Sequence, residues 1–123
     1  MTSRSSQDYL QDIVNYADDA MQFVVDMDFV TFEQDKRTHY AVIRALEIVG
    51  EATKNIPPEI RDRYPTIPWR LMAGMRDKLV HDYIGADLKK VFETVLTDLP
   101  GIKTAIAQVL ADLTSSDIRP PIS

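Results

Sequence analysis

Leu10, Ile13, Val14, Ala17, Met21 and Val24 recur at three- and four-residue steps, and this rhythm, repeated down the chain, most limits what it can fold into. Such spacing lines one face of a helix with apolar side chains, whereas a half-buried strand alternates every second residue. No segment alternates convincingly. A second helical pattern runs from about Thr31 to Asn55, with Val42, Ala45, Leu46, Val49 and Ala52 as its apolar stripe. Ser5 with Asp8 suits a cap on the first helix, and Thr31 with Gln34 has the spacing of a capping box on the second. Pro57 and Pro58 end that helix by removing backbone donors and crowding the preceding turn. Residues 57–67 read as a connector with one turn around Glu59 to Arg63.

Pro68 suits the first position of a third helix, where its missing N–H costs nothing. Leu71, Met72, Met75 and Leu79 are predicted to face inward from it, and Gly85 to stop it. Asp87 is placed to cap a fourth helix carrying Leu88, Val91, Phe92, Val95 and Leu96 on one face. Pro100 and Gly101 mark a bend, and Ile102, Ala105, Ile106, Val109, Leu110 and Leu113 give a short fifth helix. The expectation is an all-α, up-and-down four-helix bundle with a short fifth helix. One domain is expected over residues 1–113, with a flexible tail over 114–123.

At 123 residues with 45% apolar content, the chain suits one domain with one ordinary core. It has no cysteine, which removes disulfides and thiolate metal ligands and suits a reducing compartment. The first residues lack a signal-peptide pattern, and no apolar run approaches the roughly 20 residues of a membrane span. A cytoplasmic protein without membrane partners is therefore expected. No Glu-x-x-His pair, Gly-rich phosphate loop or Gly-x-Ser-x-Gly elbow is present, and two distant histidines make a poor zinc site. No metal or other cofactor is expected.

The net charge of −5 disfavours a nucleic-acid binder, but its distribution is uneven. Residues 1–35 hold one basic and eight acidic groups, whereas residues 54–78 hold six basic and three acidic ones. Phosphate responds to potential within a Debye length of roughly 8–10 Å, so the basic middle could hold a short stretch of RNA. Gly50 and Gly74 fall inside predicted helices, where each costs about 1 kcal/mol relative to alanine. Close approach of two helix backbones, or of another chain, would explain them.

His39, beside Arg37 and Tyr40, reads as a surface or helix-packing residue. His81 falls near the end of the third helix, where the partial negative charge of the helix C-terminus favours an imidazolium. Imidazole has an unperturbed pKa of about 6.5, which suits proton transfer. Arg76 precedes it by five residues, a rise of about 7.5 Å and a rotation of about 140° on a helix. A long guanidinium side chain could still meet the imidazole at one phosphodiester. By spacing alone, such a pair occurs by chance in many helices.

Ile67-Pro68-Trp69-Arg70, followed by Gly74-Met75-Arg76-Asp77-Lys78-Leu79-Val80-His81-Asp82-Tyr83, resembles the signature region of HepT-like toxins, helical ribonucleases of the HEPN superfamily. The family's pattern of Arg, four residues, His, one residue, Tyr is met by Arg76, His81 and Tyr83. Arg44-Ala45-Leu46-Glu47-Ile48-Val49-Gly50-Glu51-Ala52 is similar to the family's second helix, and the likeness spans roughly residues 5–113. Asp77 departs from it, standing where a neutral asparagine is expected in many relatives. A carboxylate there could pair with Arg76 or repel RNA phosphate.

The resemblance implies a metal-independent endoribonuclease, and leaves open whether its RNA is tRNA or mRNA. It also implies a homodimer whose Arg76 and His81 pairs face each other across the interface. His81 would be the acid/base and Arg76 the electrostatic clamp, with Arg70, Asp77 and Lys78 around them toward RNA. It further implies a nucleotidyltransferase antitoxin of the MntA kind that transfers AMP to Tyr83; the alternative for Tyr83 is packing that steadies His81. A second reading of the whole chain is a non-catalytic helical partner of a nucleotidyltransferase, which the net charge and Asp77 favour. The Arg76, His81 and Tyr83 set favours the first. A structural dimeric bundle, indifferent to RNA, is a third.

Overall fold

A computed structural model describes residues 4–81 and 87–118, through the backbone alone at 78–81 and 116–118. Helices α1 (Ser6–Phe23), α2 (Phe29–Gln34), α3 (Lys36–Lys54), α4 (Pro58–Arg63), α5 (Trp69–His81) and α6 (Leu88–Glu93) are followed by a π-helical stretch, Thr94–Asp98, and α7 (Leu99–Ile118). Among the described residues there is no strand, and the fold is all-α as the periodicity demands. No helix among them is long and apolar enough to cross a membrane. α1 packs against both α3 and α7, and α3 packs in turn against α5. The core follows the expected stripes, with Leu10, Ile13 and Ala17 of α1, Leu46 and Val49 of α3, Met72 of α5, and Ile106 and Val109 of α7 fully buried.

The caps explain where the elements start. Ser5 accepts from the Asp8 N–H at 3.1 Å while Asp8 accepts from the Ser5 N–H at 3.0 Å, a reciprocal capping box on α1. Asp26, at φ 60°, turns the chain into α2 through a left-handed conformation that Asp tolerates. Asp87 caps α6 through the Lys90 N–H at 3.1 Å.

The long helix expected from Thr31 to Asn55 is two helices. Asp28, not Thr31, caps α2, and Asp35 breaks the run by capping α3 through the Thr38 N–H and hydroxyl. An aspartate that offers its carboxylate to backbone N–H groups competes with helix continuation, which the apolar periodicity does not register. These bonds favour the charged form. Hydrogen bonds from the Thr31 backbone for Asp28, and from the Thr38 hydroxyl and backbone for Asp35, hold both carboxyls below the usual carboxylate range. Their stabilisation is therefore complete above the unfolded-state pKa of about 4 and is lost as pH falls through the lower folded values. Thermal unfolding followed by circular dichroism should show a melting temperature that drops below about pH 4. Asp35→Asn, which keeps a capping oxygen but cannot titrate, should make that drop shallower.

Two leucines depart from the expected inward faces. Leu71 and Leu96 are 50% and 53% exposed. Helical spacing assigns a side chain to a stripe, but burial requires a neighbour, and α5 packs chiefly on α3 alone. Pro100 and Gly101, expected to mark a bend before a separate helix, lie inside α7. The helical run is continuous from Leu88 to Ile118, passing the expected end at Leu113. Pro100 cannot donate to the preceding turn, and that turn widens, with the Leu99 N–H reaching back to the Thr94 carbonyl. The expected stop at Gly85 lies outside the described residues.

Candidate active site on helix α5

The start of α5 is pinned from two directions. The Trp69 indole N–H donates to the Tyr64 carbonyl at 3.0 Å, and the Tyr64 hydroxyl donates to Asp112 of α7 at 2.9 Å. Burial, with the Asp112 hydrogen bond adding to it, pushes the Tyr64 phenol above its ordinary pKa and keeps it a donor. Pro68 lies one position outside the helix, its carbonyl accepting from the Met72 N–H at 3.0 Å. Met72 and Met75 then sink into the core.

The middle of α5 is locked to α3 at one point. A Cβ built on Gly50 would stand 2.6 Å from the backbone N and 2.9 Å from the Cβ of Arg76. Only a hydrogen at position 50 permits that approach, so Gly50 fixes the height and depth of Arg76. The next residue completes the hold, with Glu51 Oε1 3.1 Å from Arg76 Nε. One turn further on, Lys54 Nζ reaches both carboxylate oxygens of Asp77 at 2.7 and 2.9 Å. Two ion pairs of opposite polarity thus strap α3 to α5. The Arg76 and Glu51 side chains remain 44% and 45% exposed, so each can still meet a ligand. Asp77, expected to bear on Arg76 or on phosphate, has its charge offset by Lys54.

The outer side of α5 is open. A Cβ on Gly74 would meet nothing within 4 Å. One groove of about 690 Å³ runs between α4 and α5 past Arg61, Trp69, Arg70 and Gly74. Another of about 540 Å³ lies on the other flank, past Leu71, Gly74, Lys90 and Thr94. By helical register Arg70, Gly74, Asp77 and position 81 fall within about 60° of one another. Position 81 closes α5 on this outer stripe, while Arg76 is turned toward α3. The side chains of Lys78 and His81 and the whole of Tyr83 lie outside the described residues. The fold therefore brings Arg70, Arg76 and Asp77 onto one helix with the backbone of Lys78 and His81, and Tyr83 is not placed.

His39 is a helix-packing residue. It is buried, with its ring edge-on to Phe32 and Tyr40, and its Nδ1 has no hydrogen-bond partner among the described residues. Among the described residues no group of three or more His, Cys, Asp or Glu side chains could hold a metal ion. Glu51 and Lys54 were missed as site residues. The only local signal was the Glu51-Ala-Thr-Lys54 run next to Gly50, whose members lie 25 and 23 residues from their partners Arg76 and Asp77 on α5.

Fold and site together define an all-α domain that presents an anchored arginine and a helix-terminal histidine position on one exposed helix. Residues 13–109 match the profile of the family described as Ribonuclease HepT-like. The chain is 46% identical over 113 residues to "Putative RNase MJ0125" of Methanocaldococcus jannaschii, covering 92% of this chain and 97% of that protein. It is 49% identical over 100 residues to "Probable ribonuclease HepT" of Thermococcus cleftensis, covering 81% and 91%. A further Methanocaldococcus jannaschii protein, "Putative RNase MJ1216", is 42% identical over 117 residues, covering 95% and 97%. No solved structure matches. The chain belongs to the Ribonuclease HepT-like family.

Proposed function

We propose that this chain is the toxin of a toxin–antitoxin pair, a metal-independent endoribonuclease that works in the cytoplasm as a homodimer. The observation that carries the reading is the placement of Arg76, fixed to α3 at Gly50 and Glu51 yet half exposed, five residues before the histidine that ends α5. Its guanidinium is held in place before any phosphate arrives, as electrostatic stabilisation of a developing charge requires.

In cleavage by the ribose 2′-OH, a base takes the hydroxyl proton and the oxygen attacks phosphorus. The P–O5′ bond breaks as an acid delivers a proton to the leaving oxygen. A 2′,3′-cyclic phosphate and a free 5′-hydroxyl result. One imidazole cannot be base and acid in the same step. A twofold dimer supplies His81 and the partner subunit's His81, with an arginine from each chain on the phosphate. The open side of Gly74 and the exposed Leu71 support this arrangement, because a bare, partly apolar helix face admits a second helix. Arg70, Asp77 and Lys78 would then flank the RNA. AMP placed on Tyr83 by an MntA-like transferase would add charge and bulk two residues from His81, repelling and blocking RNA phosphate.

The test is incubation of the purified protein with total RNA in excess EDTA. Cleavage that persists, leaving cyclic phosphate ends, is the expected result. Absence of cleavage would overturn the nuclease reading in favour of a non-catalytic transferase partner. Incubation with a partner transferase and ATP should add mass in AMP units at Tyr83 and silence cleavage.

A further inference from the structure

Two surface stripes face each other across α1 and α3, and apart from Glu51, which holds Arg76, none of their residues enters the steps above. Tyr9, Asp12 and Tyr16 lie three and four residues apart on α1. Arg44, Ile48 and Glu51 follow at the same rhythm on α3, and Asn55 caps its C-terminal end. Together with Arg4 they line a groove of about 360 Å³ whose walls are mostly polar. Ala52, buried in the core, forms part of its floor.

The two tyrosines differ from Tyr64, whose hydroxyl is tied to Asp112. Those of Tyr9 and Tyr16 donate to no described residue, and both rings are only partly buried. Arg4 lies over the Tyr9 ring, 4.8 Å from its centroid, with its charge answered by Asp12 at 2.7 Å. Arg44, on the opposite wall, is 62% exposed and pairs with Glu47 outside the groove at 3.2 Å. The Asn55 side-chain amide donates to the Glu51 carbonyl at 2.9 Å, which leaves its oxygen to accept. Glu51 is shared, since it lines this groove and also holds Arg76. Glu51 therefore links the groove to the arginine assigned to the scissile phosphate.

We propose that this groove is a nucleobase subsite, holding the base of a nucleotide adjacent to the phosphate that Arg76 contacts. Partly exposed tyrosine rings offer a base a stacking surface that tolerates any sequence. Asn55 can read a polar edge, and Arg44 can neutralise a neighbouring phosphate. The assignment rests on the RNA-cleavage reading for its biological meaning, but not for its test.

The test is a heteronuclear NMR titration of the 14.0 kDa chain with nucleoside 5′-monophosphates, against ribose 5-phosphate as a probe without a base. Saturable shifts at Tyr9, Tyr16 and the Asn55 side-chain amide with nucleotides, and much smaller ones with ribose 5-phosphate, are expected. Tyr16→Leu should weaken nucleotide binding about 5- to 150-fold, the range measured for loss of one base–aromatic stack. Arg44→Gln, a surface change with little bearing on folding, should weaken it less and reduce its salt dependence. Equal shifts with ribose 5-phosphate would make the groove a simple anion site and overturn the proposal, as would shifts confined to α5 or none. The titration needs no catalysis. Shifts in the groove without RNA cleavage would defeat only the nuclease reading, and cleavage without groove shifts only the subsite.

Discussion

His81→Ala should lower RNA cleavage by about 10²- to 10⁴-fold, the usual contribution of a positioned acid or base. Arg76→Ala should cost about 10²- to 10³-fold, as removal of one preorganised charge-stabilising donor does elsewhere. The losses should not multiply in the double variant, because both groups serve one transition state. Initial rates on a fluorescently labelled RNA, with folding checked by circular dichroism, give the comparison. Full activity in both single variants would sink the assignment. The two changes should also part company in binding. Arg76 meets phosphate charge in the ground state as well, so its loss should weaken RNA affinity and flatten its salt dependence, whereas His81→Ala should leave binding nearly intact.

Gly50→Ala is the second large effect, although position 50 touches no substrate in the mechanism. The added methyl would sit 2.6 Å from the backbone nitrogen of Arg76, and a backbone atom cannot swing aside as a flexible side chain can. The helices must separate. Overpacking of this kind costs about 1–3 kcal/mol, a fall in melting temperature of roughly 4–12 °C for a domain of this size. Displacement of Arg76 by even 1 Å should cost up to about 10²-fold in cleavage. Gly74→Ala is the matched control. Its methyl meets nothing within 4 Å, so the isolated fold should hold or gain slightly from helix propensity. In the proposed dimer, any loss there should appear in the dimerisation constant, measured by sedimentation at several dilutions, rather than in the melting of the monomer. Equal destabilisation by the two substitutions would contradict the close approach at Gly50.

Gly50 also shows how far the sequence carries. A glycine inside a strong helical pattern signals that something comes close, and that much is legible from residues 42–52. That the visitor is the backbone of Arg76, 26 positions on, is not, because helix–helix distance is set by the whole core. The stripes on α1, α3 and α7 are legible for the same reason that they work, as each repeats every three or four residues and meets a neighbour along its length. Leu71 and Leu96 obey the same spacing yet stay exposed, since no described element covers them. The break at Asp35 is not legible from the apolar stripe, which begins only at Val42, because residues 33–39 carry no apolar side chain to show a change of phase. In the site, the Arg76 and His81 spacing is local and visible, whereas the ties from Glu51 and Lys54 join distant segments of opposite charge. The groove between α1 and α3 was visible in principle as two polar stripes, but only their juxtaposition makes a pocket.

The π-helical turn at Thr94–Asp98 has a consequence for the architecture. A π turn carries one residue more than an α turn, so it offsets the angular phase of everything after it by about 100°. Before the offset, Val91 and Phe92 are buried and α6 packs on α2; after it, Ile102, Ile106 and Val109 are buried and α7 packs on α1. The chain thus serves two different neighbours from one continuous helical run, changing its bearing by register without a loop.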